Sequence, residues 1–248
     1  MDMRIDTLTS GRTRTHFVST ATVNWIVLQD DDGVTLIDGG YPGHADAVIE
    51  SLNRIGSAPE EIRAALLTHA HVDHLGGLVR LRDRHDFDVY ADPHEVAHAR
   101  REYLEQADAM SLAPIAWRPR VLHWLSQILP LGALSRTGLD DAAPFPGLAA
   151  LPGRPVALPC PGHTRGHSAF LVADGEILVT GDALITGHLI TSAQGPQCLG
   201  PIFTHDPERN AESLESLAAT DANLILPGHG DLWEGPARTA VNLALSRR

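Results

Sequence analysis

Cysteine is scarce in this 248-residue chain, which has only Cys160 and Cys198. Two are too few for a disulfide framework, which fits a reducing cytoplasm. Long hydrophobic runs are missing as well. None approaches the ~20 apolar residues a membrane-spanning helix needs, and the opening segment MDMRIDTLTSGRTR has no apolar core of signal-peptide length. A cytoplasmic protein with no membrane partner is therefore expected. Positive charge is short too. Nineteen Lys and Arg against 31 Asp and Glu give a net charge of −12, whereas phosphate binding needs clustered cations. That balance argues against a nucleic-acid partner, and against an anionic membrane surface for the same reason. No internal repeat, low-complexity tract or interdomain linker is visible, so one domain over residues 1–248 is expected.

What remains is an ordinary soluble composition, 43% hydrophobic and 20% charged, which is enough apolar residue to bury a core. Punctuation along the chain gives the elements. Val23–Gln29 and Val34–Ile37 flank the turn Asp30-Asp31-Asp32-Gly33 and predict a hairpin. Ala45–Ile55 carries apolar residues at helical spacing and stops at Gly56. Ala64–Leu67 predicts a buried strand, Leu75–Arg84 a helix, Asp88–Ala91 a strand, and Pro93–Gln106 a helix opened by proline. Later strands are expected at Val156–Leu158, Ser168–Val172, Glu176–Val179 and Asn223–Leu226, with helices at Asp206–Ala219 and Pro236–Leu245. Strands followed by helices, with hairpins mixed in, indicate an α/β protein with mixed sheets.

Histidine is the residue in excess, with fourteen in the chain. Four potential ligands fall within Thr68-His69-Ala70-His71-Val72-Asp73-His74, just after an apolar strand. On extended chain His69 and His71 project to one side. A helix starting after them would put Asp73 and His74 in its first turn. Imidazoles with a carboxylate suit zinc, iron or manganese better than calcium or magnesium. Further ligands come from three glycine-rich segments: Pro161-Gly162-His163-Thr164, Thr180-Gly181-Asp182 and Pro227-Gly228-His229-Gly230. Any one of them alone would be an ordinary loop. Their joint occurrence after the histidine cluster points to a metal centre.

With those residues in hand, the chain resembles the metallo-β-lactamase-fold hydrolases, a superfamily that includes glyoxalase II and the acyl-homoserine lactonases. The matching features are HxHxDH at 69–74, His163 of PGHT, Asp182 of TGD and His229 of PGHG. The resemblance implies an αβ/βα sandwich: two mixed sheets packed together, helices outside, here with a partly helical insertion. It also implies two divalent metal ions, most fittingly zinc, with iron or manganese compatible. His69, His71 and His163 would hold the first, Asp73, His74 and His229 the second, with Asp182 bridging. A water shared by two such ions ionises near neutral pH and attacks a carbonyl, and Asp73 is placed to hand a proton to the leaving group. Asp73 and Asp182 are thus the catalytic candidates.

Weaker assignments surround that set. Asp38, at the end of the hairpin, matches an aspartate that orients a ligand histidine in such proteins. His167 reads as structural or supporting. Two readings are open for His188 and His205, a place facing the substrate or, as is commoner, a solvated loop, and Cys160 reads as a small buried apolar side chain.

Departures from named relatives narrow the activity. Glyoxalase II carries a further helical domain after the last ligand, whereas 19 residues follow His229 here, so glutathione thioesters are not the expected substrate. Lactonases place a tyrosine just after the bridging aspartate, where this chain reads Ala183-Leu184-Ile185. The expectation is hydrolysis of an ester, lactone or thioester of a small, partly apolar substrate. The alternatives are a mononuclear iron persulfide dioxygenase and, second, β-lactam hydrolysis. The segment at about 108–153 is expected to be a lid or a homodimer contact, with the apolar run Trp117–Leu131 covered throughout and both Trp117 and Trp124 in its wall.

Overall fold

A computed structural model describes residues 2–248 and their side chains, that of residue 109 excepted. Met1, the first residue of the expected domain, lies outside the described residues. Seven strands form the first sheet, in the order β1 (Arg4–Ser10), β2 (Thr13–Ser19), β3 (Asn24–Asp30), β4 (Gly33–Ile37), β5 (Ile62–Leu66), β6 (Asp88–Ala91) and β7 (Ala143–Pro144). The pairs up to β4 are antiparallel and those from β4 onward parallel. The second sheet holds β8 (Val156–Pro159), β9 (Ser168–Val172), β10 (Ile177–Gly181), β11 (Leu224–Pro227) and β12 (Trp233–Glu234) in the order β12-β11-β10-β9-β8. Only β10 and β11 run parallel. Both sheets are therefore mixed.

Residue alternation decides which layer each side chain joins. On β3, Trp25 and Val27 pack with Leu36, Val48, Leu52, Leu75 and Leu78, against the helices α1 (Ala45–Arg54) and α2 (Val72–Arg82). The intervening Ile26 and Leu28 face the other way and meet Phe170, Val179 and Leu226 of the second sheet. That second sheet is backed by α6 (Pro207–Ala218) and α7 (Ala237–Ser246) through Leu214, Leu217, Ala240 and Val241. Helix, sheet, sheet, helix is the expected sandwich.

Three local findings depart from the sequence reading. Strands β1 and β2 were not expected, because their Thr- and Arg-rich alternation carries no apolar run. They pair in full register from Arg4↔Ser19 to Ser10↔Thr13. The expected helix Pro93–Gln106 is only α3 (Pro93–Ala99). It ends as Arg101 enters the left-handed region at φ 62°, which stops helical bonding. The chain then runs irregularly toward the site. Helix α2 starts three residues before the expected Leu75, with His71 as its N-cap, so Asp73 and His74 do lie in its first turn.

Segment 108–153 contributes α4 (Ala109–Leu112), α5 (Pro119–Ile128) and β7. On α5, Val121, Trp124 and Ile128 recur at helical spacing on one buried face, packed with Val23, Tyr41 and Val72. Within the single chain the run is not covered throughout. Trp117 is 72% exposed and Leu122 54%, since Trp117 precedes the helix and Leu122 lies on its opposite face.

Candidate metal centre

The metal-ligand candidates converge at one end of the sandwich, in the loops that follow strands β5, β10 and β11 and in the β8–β9 loop. The chain leaves β5 at Leu66 and reaches His69 and His71 before turning into α2. Asp182 directly follows β10, and His229 follows β11 by two residues. Open α/β sheets place their sites at such strand ends.

All seven candidates meet here. The ligand atoms of His69, His71 and His163 lie within 4.8 Å of one another, as do those of Asp73, His74 and His229, and those of His69, His74 and Asp182. Asp182 stands between the groups. Its Oδ1 lies 3.4 Å from His74 Nε2, and its Oδ2 lies 3.2 Å from His229 Nε2 and 3.7 Å from His163 Nε2. Asp73 Oδ2 is 3.4 Å from His229 Nε2. His69 Nε2, His74 Nε2 and Asp182 Oδ1 are buried without a hydrogen-bond partner, a costly arrangement unless something accepts their lone pairs. Five imidazoles and two carboxylates sharing one buried point fit zinc, iron or manganese.

Each inward-facing nitrogen is set by what the other ring nitrogen does. His74 Nδ1 donates to Asp38 Oδ2 at 2.7 Å, which turns Nε2 toward Asp182. Asp38 is in turn fixed by Thr68, whose backbone N and hydroxyl donate at 2.8 and 2.7 Å. The orienting role read for Asp38 matches this geometry. His229 Nδ1 donates to the Thr22 carbonyl at 2.7 Å, and His71 Nε2 to the Glu105 carbonyl at 2.8 Å. Gly228 explains the glycine beside His229: a Cβ there would lie 2.2 Å from Asp182 Oδ1 and 2.8 Å from His74 Cε1. Any side chain would displace the shared carboxylate.

Electrostatics divides the histidines into two sets. Burial holds His69 and His163 well below the ordinary imidazole range and His71 at about 4, so these rings present neutral lone pairs. Burial also opposes charge on His74 and His229, but the neighbouring carboxylates overcome it. Asp182 and Asp38 raise His74 well above its usual value, while Asp182 and Asp73 raise His229 to about 10.

Among the weaker assignments, His167 supports Asp182 by accepting from its backbone N at 3.1 Å. Cys160 is buried beside Ser213 Oγ at 3.2 Å, and burial pushes its thiol up to about 12. Of the two readings open for His188 the solvated loop is set aside: the residue lines the cavity, its ring centre 4.9 Å from that of His229 and 5.7 Å from that of Trp124. No local motif marks it, since its place depends on a loop that folds back beside His229. His205 stays partly exposed, 3.6 Å from Glu105 Oε1. Tyr41 was also missed. It is 2% exposed and lines the same cavity as the cluster.

That cavity has a volume of about 830 Å³. His71, Asp73, His163, Asp182 and His229 form its polar floor, and Leu112, Trp124, Leu125, Ile128 and Phe203 are among its apolar walls. The metallo-beta-lactamase superfamily model matches residues 20–229, from the loop before β3 to the last candidate ligand. The chain belongs to the metallo-beta-lactamase superfamily. A probable metallo-hydrolase of Bacillus subtilis is 30% identical over 221 residues, covering 86% of this chain and 81% of that protein. A hydroxyacylglutathione hydrolase of Alkalilimnicola ehrlichii is 31% identical over 207 residues, 83% of this chain but 61% of that protein. Among solved structures, a metallo-beta-lactamase from Cronobacter sakazakii with a mutated HARLDQ motif superposes with a TM-score of 0.64 at 19% identity. The match covers 94% of this chain and 91% of the other. As in this superfamily generally, the centre belongs to a metal-dependent hydrolase framework. No helix among the described residues is long and apolar enough to cross a membrane.

Proposed function

We propose that the protein is a dinuclear metal-dependent hydrolase that cleaves an ester, lactone or thioester bond in a small, partly apolar substrate. The observation that carries this reading is the shared position of Asp182, whose two oxygens face ligand candidates of both groups at the floor of an apolar cavity. His69, His71 and His163 would hold the first ion and Asp73, His74 and His229 the second, with zinc the best match to the donors. Bound there, two such ions would supply Lewis acidity, which makes water easier to ionise and a carbonyl easier to attack.

The chain's own residues do the rest. Asp182 fixes the separation of the two sites. Asp73, 15% exposed at the cavity floor, would pass a proton to the leaving group. Residues from segment 108–153, Trp124 foremost, give the apolar part of the substrate a wall. The names of the relatives, a probable metallo-hydrolase and a hydroxyacylglutathione hydrolase, favour hydrolysis of an acyl bond.

Zinc- or manganese-loaded protein should hydrolyse p-nitrophenyl esters or a simple lactone. A chelator should abolish that turnover, and added metal should restore it. Oxygen uptake with a persulfide substrate, without ester or lactone turnover, would replace this reading with the iron dioxygenase.

A further inference from the structure

Behind the first ligand group lies a carboxylate that the reaction does not use. Glu95, on α3, is 0% exposed, and an ion buried so completely is tolerated only when it is fully hydrogen-bonded. It has four donors. Oε1 accepts from the Ala70 backbone N and from His98 Nδ1, both at 2.7 Å. Oε2 accepts from Thr164 Oγ1 at 2.8 Å and from the Gly166 backbone N at 3.1 Å. Ala70 lies between His69 and His71, and Thr164 follows His163. One side chain therefore ties together the two loops that carry all three first-site candidates. Contact is close enough that a Cβ on Gly166 would lie 2.4 Å from Glu95 N.

From Glu95 a chain of hydrogen bonds leads to His71, and the chemistry of each partner fixes its direction. An ionised carboxylate can only accept, so His98 Nδ1 carries a proton. The Glu105 backbone N–H, 3.3 Å from His98 Nε2, can only donate, so that nitrogen is a bare acceptor and His98 is neutral. The Glu105 carbonyl can only accept, so His71 Nε2, at 2.8 Å, carries its proton. His71 is left with a bare Nδ1, 3.1 Å from His163 Nε2. Tyr103, stacked on His98 with centroids 5.3 Å apart, holds that ring in plane.

We infer that Glu95 is the positioning residue of the first metal site: through His98 it holds the Glu105 backbone, whose carbonyl fixes His71 in the tautomer that offers Nδ1. The inference rests on the proposed assignment of that site but not on the substrate. Asp38 sets His74 for the second site in one step. Glu95 sets His71 in three, and it also clamps the loop of His163.

The direct test uses ¹⁵N-labelled, zinc-loaded wild-type protein and long-range ¹H–¹⁵N correlation of the histidine rings. His98 should show a protonated Nδ1 and an acceptor Nε2, and His71 a protonated Nε2. The opposite tautomer at either ring overturns the relay. In Glu95→Gln an amide N–H must face existing donors, so zinc affinity at the first site should fall about 10- to 100-fold. Second-site affinity should stay within about twofold. His98→Phe, which keeps the stacking on Tyr103, should weaken the first site in the same way and covers the case in which Glu95→Gln does not fold. Equal weakening of both sites, or of neither, would show that Glu95 only braces the loops. If wild-type protein shows the expected tautomers and metal binding but no ester or lactone turnover, the functional reading fails and this inference stands.

Discussion

The Asp182 carboxylate faces both ligand groups. Its neighbours His74 and His229 are both buried. Removing it leaves the two ligand groups with no carboxylate shared between them. Asp182→Ala should therefore lose most of the second metal and reduce turnover by several orders of magnitude, while His69→Ala should empty the first site. Metal analysis of both variants checks this, and wild-type content together with wild-type turnover in both would refute the assignment. These residues were legible in the sequence because the motif is local: HxHxDH is contiguous, and each later ligand sits beside a glycine after a strand. Glu95 and His188 were not, because their roles depend on contacts with residues far away in sequence, Thr164 for one and His229 for the other.

At the scale of elements, α5 shows how far a pattern reaches. Its apolar spacing announced a buried face, and Val121, Trp124 and Ile128 form one. The same residues could not say that Trp117, just outside the helix, would face solvent. Likewise β1 escaped notice because it is only half buried, and β2 because Thr13, Thr15 and His16 supply much of its buried surface, whereas the apolar β3 is buried along nearly its whole length. Trp124 provides the test at this scale. Trp124→Ala should lower kcat/KM for long acyl substrates at least tenfold more than for short ones, with metal content intact. Such a truncation also costs roughly 3–5 kcal/mol of stability, so a melting curve must accompany the kinetics. Equal loss at every chain length with a shifted elution volume would assign the segment to a homodimer contact instead.

For the molecule as a whole, metal binding and protonation compete at the same nitrogens. In the metal-free protein the carboxylates raise His229 to about 10 and His74 well above its usual 6.5. At that value His229 is protonated at pH 7, and a second-site ion must displace its proton. First-site histidines are held low by burial and displace none. The sign follows from linkage: second-site affinity should fall about tenfold per pH unit per displaced proton between pH 8 and 6, while the first site barely changes. Zinc titrations in buffers of different ionisation enthalpy report that displacement directly. Without metal, the raised His229 stabilises the fold fully below its unfolded value near 6.5, and this contribution fades as pH rises through about 10. A first site that weakened on acidification as steeply as the second would contradict the division.

The central claim is a pair of metal sites joined by one carboxylate, and metal content per chain tests it most directly. Protein purified without added metal, then equilibrated with zinc and freed of excess, should hold about two ions per chain, and the Asp182→Ala variant about one. A single tightly held iron in the wild-type protein, with no second ion taken up at any zinc concentration short of precipitation, would contradict the account.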